Sequence, residues 1–354
     1  MVSFGHGRIA SGWLVKVTSL VLMTWLFGWA LPIRIPAQSS LGAVRFDLKG
    51  KRSRLKARQD LLIRTVIRGN PDEDQLEVYN RDGSRKLSLN LLKSLPEARS
   101  LAIWDFSIGQ SGLLAVGAVA RSEKDELSSH LLIYDLSGQL LSAARLPAGK
   151  EVRKLEVDED DSIWVMGAGS GGKDPKEVAM ITRFGREGQV LEEFLPRSQF
   201  SLHAKSTEEA PEVGGRISFG LTKELVWMWL PPGQLVTLRK DGSDVQIADT
   251  GLPRWPGPLD PPAHSRISVE GCFLLPSGRL LANVWFYSGE ETSMVLSDWD
   301  PGTGEWHTIP RLAYDASDSS LFLVGVEQGE MAMSRAVKGD RNHSEVCWYA
   351  APVQ

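Results

Sequence analysis

Apolar positions along this chain come in short bursts. "LLIRTVI" (61–67), "LLAVGAVA" (113–120), "SIWVMGAG" (162–169), "LVWMWL" (225–230), "LLANVWF" (280–286) and "LFLVGV" (321–326) are each alternating or continuously apolar. No segment sustains the spacing of an amphipathic helix, and the bursts are short enough to be strands. The bursts belong to a recurring phrase. An alternating stretch leads into a turn pair, a second apolar stretch follows, and Leu-Pro or Ile-Pro closes the unit at Pro96, Pro147, Pro196, Pro253 and Pro310. The turn pairs are Asp82-Gly83, Ser137-Gly138, Glu187-Gly188, Asp241-Gly242 and the Gly302-Thr303-Gly304 triplet. Such residues supply the positive φ that tight hairpins need. Closures fall at intervals of 51, 49, 57 and 57 residues, which is the period of propeller blades.

Each unit parses into four strands. In the second, strand A is 100–108, B is 113–120, C is 130–136 and D is 139–146. The sixth unit ends one strand short, and "GAVRFDL" (42–48) has no unit of its own. The expected fold is therefore all-β: a six-bladed β-propeller whose last blade is closed by an N-terminal strand, which leaves no open edge in the ring.

The pattern in "LLIYDLSGQLL", "ITRFGREGQVL" and "LEVYNRDGSRKL" resembles the six-bladed propellers of the NHL, TolB-like and SMP-30-like group, over about residues 42–354. Lactonases of the SMP-30 group hold a divalent metal in the channel. The resemblance thus allows a divalent cation and a lactonase- or lyase-like activity. Asp315 and Asp318 are the acids best placed for a cation, whereas Asp298 and Asp300 fall beside a C–D turn.

The first residues set the compartment. Arg8 and Lys16 precede an uncharged run of 17 residues at 17–33. This reads as an export signal over 1–37, cut after Ala37 or earlier near Ala30, leaving 38–354 as one propeller domain. Left uncleaved, the run sits at the short end of a membrane anchor, about 17–25 residues. Either way the body is exported, to the periplasm or the cell exterior, and meets a membrane only through this segment. Residues 1–37 hold three basic residues and no acid, so the body is three units more acidic than the whole chain at −4. That argues against a nucleic-acid partner, and a monomer is expected. Cys272 and Cys347, 75 positions apart, form no disulfide framework and no zinc pattern; buried free thiols are the plainer reading, with a single bridge left open. Asn342-His343-Ser344 fits a glycosylation sequon.

Strand alternation puts A–B and C–D turns on one face of the ring and B–C and D–A loops on the other. The second set is expected to be long: 120–130, 167–178, 197–215 and 254–265. Long polar loops are where binding residues usually sit. Arginine recurs where strand A begins, at Arg99, Arg153, Arg216 and Arg266, with Arg54 as the first-blade equivalent. Converging there, these guanidiniums would bind carboxylate or phosphate in a bidentate way. Alternatively each pairs with an acid on a neighbouring blade, such as Asp105, Glu156 or Glu270. Most tryptophans, Trp104 among them, read as core; Trp255, in a Pro-rich loop, reads as a stacking residue at the rim.

No Gly-x-Ser-x-Gly elbow, His-Glu-x-x-His or phosphate loop occurs. His203 and His264 are solvated loop residues by default, no catalytic or metal-ligating residue is assigned, and no cofactor is expected. The reading is an exported, non-catalytic binding module for a protein, peptide or glycan ligand, anionic if the arginines meet. A structural platform for an envelope protein and a metal-dependent lactonase- or lyase-like enzyme are the alternatives.

Overall fold

A computed structural model describes residues 42–47, 54–66, 75–147, 150–167, 179–196, 212–254, 265–288, 291–309, 322–337 and 340–351. The first strand, β1 (Gly42–Asp47), belongs to the last blade. Blade one is β2 (Leu55–Arg58), β3 (Leu61–Val66), β4 (Gln75–Asn80) and β5 (Arg85–Asn90). Blade two is β6 (Ala98–Ile108), β7 (Leu114–Ser122), β8 (Leu127–Tyr134) and β9 (Leu140–Arg145). Blade three is β10 (Lys154–Val157), β11 (Ile163–Met166), β12 (Ala179–Phe184) and β13 (Val190–Pro196). An extra strand, β14 (Glu212–Arg216), precedes blade four, which is β15 (Ser218–Leu221), β16 (Leu225–Leu230), β17 (Gln234–Arg239) and β18 (Gln246–Asp249). Blade five is β19 (Arg266–Leu274), β20 (Leu280–Ser288), β21 (Glu291–Asp300) and β22 (Glu305–Thr308). Blade six is β23 (Phe322–Glu327), β24 (Glu330–Val337) and β25 (Asp340–Ala350), with β1 antiparallel on β25, Gly42 opposite Trp348 and Asp47 opposite His343. The protein is a six-bladed β-propeller closed by its N-terminal strand, as the repeat pattern requires.

The core is distributed around the ring, one apolar cluster in each seam between adjacent blades. Alternation along a strand sends successive side chains to opposite seams. In β8, Leu132 and Tyr134 pack against blade one, while Leu131 and Ile133 pack against blade three. Trp164 and Met228 meet between blades three and four, Trp229 and Phe286 between four and five, Leu281 and Met331 between five and six, and Leu62 and Trp348 between six and one. A strand buried on both faces reads as a continuous apolar run, which is why the bursts outnumber the alternating stretches. Cys272 and Cys347 are buried free thiols in separate seams, and burial raises both thiols' pKa.

The turn glycines serve packing as well as backbone. Gly188, between β12 and β13, has φ +80°. A Cβ there would lie 2.7 Å from the Cβ of Ala144 on β9 of the preceding blade. The Ser142 hydroxyl donates to the carbonyl of Glu187 in the same turn, at 2.7 Å. The C–D turn of blade three therefore rides on the outer strand of blade two.

Candidate functional site

The innermost strands β2, β6, β10, β15, β19 and β23 line the centre of the ring. Their inner edges are sheet edges, and buried backbone N–H groups need partners. Side chains of the preceding blade supply several. Asp105 Oδ2 accepts from Leu155 N at 2.9 Å, and Ser218 Oγ from Cys272 N at 2.8 Å. Asn283, buried in β20, accepts from Leu323 N at 3.1 Å and donates to the carbonyls of Leu323 and Glu270. On blade five, β14 itself runs parallel to β19 and covers its first half.

Three inner strands carry β-bulges, at Arg99 and Trp104 in β6, Glu270-Gly271 in β19 and Val324 in β23. Bulges re-aim side chains and collect at barrel rims and functional sites. Trp104 is thereby left half-buried instead of wedged in a seam. The Arg153 guanidinium lies 5.3 Å from the centre of its ring, and Arg54 donates to its carbonyl oxygen.

Beside Trp104 sits a charge network that joins three blades. Arg54, Lys56 and Arg58 alternate along blade one, and their heads cross to blades two and three. Lys56 Nζ is 2.7 Å from Glu156 Oε1 and 3.5 Å from Asp105 Oδ2. It also donates to the carbonyls of Phe106 and Leu155, at 3.1 and 3.3 Å. Arg58 donates to Glu156 Oε2 and, at 3.0 Å, to the carbonyl of Val157. The Ser107 hydroxyl donates to Glu156 at 2.6 Å. Burial pushes the Glu156 carboxyl's pKa up, but Lys56, Arg58 and Ser107 outweigh it and hold it below the ordinary value. For Lys56 burial lowers the pKa, and Asp105 and Glu156 outweigh it and raise it.

Lys154, two residues before Glu156 on β10, differs. Among the described residues its ammonium makes no hydrogen bond or ion pair. Burial lowers its pKa; Asp105 pulls it up, and the like charges of Lys56, Arg54 and Arg216 push it down again. On these side chains four cations (Arg54, Lys56, Arg58, Lys154) face two carboxylates (Asp105, Glu156). This group of side chains, among the described residues, thus carries local positive charge within an acidic protein, suited to carboxylate or phosphate.

The strand-A arginines take separate positions. Arg99 pairs with Asp125 at 2.9 Å within its own blade. Arg153 pairs with Glu151 at 2.9 Å while covering Trp104. Arg216 ends β14 and pairs with Glu270 of blade five at 2.6 Å, its side chain 75% exposed; its charge reaches Lys154. Arg266 is exposed at the start of β19. Asp105, Glu156 and Glu270 do serve as partners, the first two mainly for Lys56 and Arg58. Those cations, Lys154 and the turned-in Trp104 escaped the sequence reading. The available signal was the alternating "RLKAR" of an innermost strand, cations on one face and apolar residues on the other.

The long loop expected over 120–130 is corrected. The strands β7 and β8 run on to Ser122 and from Leu127, leaving a tight turn at 123–126 held by Asp125 N to Ser122 O at 3.0 Å. Its alternation continues in polar residues, which masks the pairing. Residues 168–178, 197–211 and 255–264, with Trp255, His203 and His264, lie outside the described residues, as do Asp315 and Asp318. Asp298 is buried and paired with Arg279, and Asp300 accepts from Gly302 N in its turn. Among the described residues no group of three His, Cys, Asp or Glu side chains is placed to hold a metal ion.

No protein-family model matches the chain, and no curated protein sequence matches it. Solved structures do. A DUF4221 family member from Bacteroides vulgatus is similar at 9% identity over 88% of this chain and 97% of that one, with a TM-score of 0.51. BamB from Moraxella catarrhalis matches at 11% identity over 88% and 99%, TM-score 0.43. A protein of unknown function from Bacteroides caccae matches at 12% over 78% and 81%, TM-score 0.40. At such identities the likeness is one of fold, and a propeller hosts many functions.

Proposed function

We propose that this propeller is an exported, non-catalytic binding module that takes an anionic ligand at the end of its channel where the inner strands begin. The observation that carries this is the excess of cations there, with Lys154 unpaired among the described residues and Arg54 and Arg216 within its electrostatic reach. Arg153 over Trp104 adds a flat, cationic wall to the same end. Arg99 and Arg266 stand further out as rim contacts, and Trp255 joins them in this reading. Export rests on the basic flank and uncharged run of 17–33. Within propellers, the turn phrase keeps the NHL, TolB-like and SMP-30-like group as the expected kin. Binding is preferred to catalysis because the sequence carries no nucleophile elbow, zinc-protease or phosphate-loop motif.

The test is a thermal-shift screen of the full chain against carboxylates, phosphates, acidic sugars and calcium. A ligand that binds only the folded state stabilises it by about 2.7 kcal/mol at a hundredfold excess over Kd. Anions should raise Tm in wild type, and the shift should vanish in Lys154→Met and shrink in Arg216→Ala. A shift with calcium alone would turn the reading toward a metal-dependent enzyme. No shift with any anion would end it.

One observation favours a second reading, a platform for another envelope protein. Leu140 and Leu141 of β9, Val190 and Leu191 of β13, and Val245 and Ile247 at β18 are all well exposed. They lie at the outer strands of three successive blades. Monomers seldom leave such patches unused.

A further inference from the structure

One imidazole lies in the apolar seam between blades one and two. His130 of β8 shares the face of Leu132 and Tyr134, which pack on blade one, and its register partners are Ala118 on β7 and Arg145 on β9. It is 4% exposed. Nε2 lies 2.8 Å from the Ser128 hydroxyl. Nδ1 is buried and has no hydrogen-bond partner among the described residues. Buried polar atoms are seldom left so.

A neutral ring is tolerated in that place. Nε2 and the hydroxyl satisfy each other in either tautomer, and only Nδ1 goes unmet. A proton changes the balance. Both nitrogens become donors, Ser128 accepts from one, and the other N–H carries its charge into an apolar seam. Two charged groups reach the ring. Glu97, exposed just before β6, favours the proton, and Arg145, opposite on β9, opposes it. Ala118 and Leu132 carry no charge, and the Tyr134 hydroxyl is turned to Ser94 at 2.7 Å. Burial, with Arg145 beside it, outweighs Glu97 and holds the His130 pKa below its ordinary 6.5.

We propose that His130 is a proton-operated latch on this seam: neutral, it packs between blades one and two; protonated, it turns out toward Glu97 and loosens β8 and β9 from blade one. Histidine is the side chain suited to such a change between mild acid and neutrality. Because the folded pKa is depressed, the latch's contribution is full above 6.5 and is lost as pH falls through the folded value. The latch is independent of the anion site.

Two measurements on the full chain test it. NMR of labelled imidazoles follows each histidine's titration, with His130 assigned by its absence in His130→Gln. Hydrogen exchange read by mass spectrometry compares wild type with His130→Gln at the same pH, so that intrinsic exchange cancels. His130 should titrate below 6.5, and Glu97→Gln should move it lower still. The ratio of exchange rates in peptides from β8 and β9, wild type over His130→Gln, should rise about threefold or more between about pH 7.5 and about pH 5.5. His130→Phe, which fills the seam with an apolar ring, takes the place of the amide if that variant does not fold. A His130 that titrates at or above 6.5, or an exchange ratio equal at the two pH values, overturns the latch. A titration that Glu97→Gln leaves unmoved overturns the outward turn toward Glu97.

Discussion

Replacing Lys56 by methionine should weaken the tie between three blades. The ammonium binds Glu156 at 2.7 Å, Asp105 at 3.5 Å and two backbone carbonyls. Methionine fills much of the volume and satisfies none of these groups. Glu156 would keep Arg58 and Ser107, and Asp105 would keep Leu155 N. Breaking a buried pair from one side costs about 3–5 kcal/mol. Lys56 keeps 21% of its side chain exposed against 5% for Glu156, so water softens the loss and the low end, about 3 kcal/mol, is expected. That is a large share of a stability of about 5–15 kcal/mol. Urea unfolding of wild type, Lys56→Met, Glu156→Gln and the double variant closes a cycle, and residues in one network should couple by about 0.5–3 kcal/mol. pH adds a second readout. The Glu156 pKa is depressed in the folded protein, so its contribution is full above the ordinary value of 4.5 and is lost as pH falls through the folded value. The Lys56 pKa is raised, so its contribution is full below 10.5 and is lost only as pH climbs through the folded value. Lys56→Met should flatten both limbs. A loss under about 1 kcal/mol, the size of a surface pair, or additivity within about 0.5 kcal/mol, would refute the tie.

Three further outcomes follow from the packing. Gly188→Ala should cost about 2–4 kcal/mol by chemical denaturation, because a left-handed backbone and a 2.7 Å approach to Ala144 act together; Gly302→Ala, where φ is not in that region and the approach is 3.2 Å to a carboxylate oxygen, should cost less. Asn283→Leu should cost about 1–3 kcal/mol per buried group left unpaired, Leu323 N foremost, and Asn283→Asp should recover part of it. Deleting residues 1–47 removes β1 and bares the edge of β25, so light scattering should show association that the full chain lacks.

The repeat of turns and closures determined the ring, its blade number and the borrowed outer strand. Those follow from local chemistry: turn residues fix hairpins, and the period of apolar side chains fixes which faces are buried. The strand-A arginines were equally visible as a column, because they share a position in the repeat. Their partners were not visible. Arg99 turned to Asp125 in its own blade, and Arg216 to Glu270 through a strand, β14, that no pattern announces. Nor could the sequence bring residue 56 to residue 156, since they meet only after the ring closes. The bulge that frees Trp104 is likewise a mismatch between two paired strands, and neither strand encodes it alone. What depends on one strand and its turn can be read along the chain. What depends on which charged heads converge across the channel is decided by the closure of the ring, because electrostatic energy depends on distance in space and not on separation in sequence.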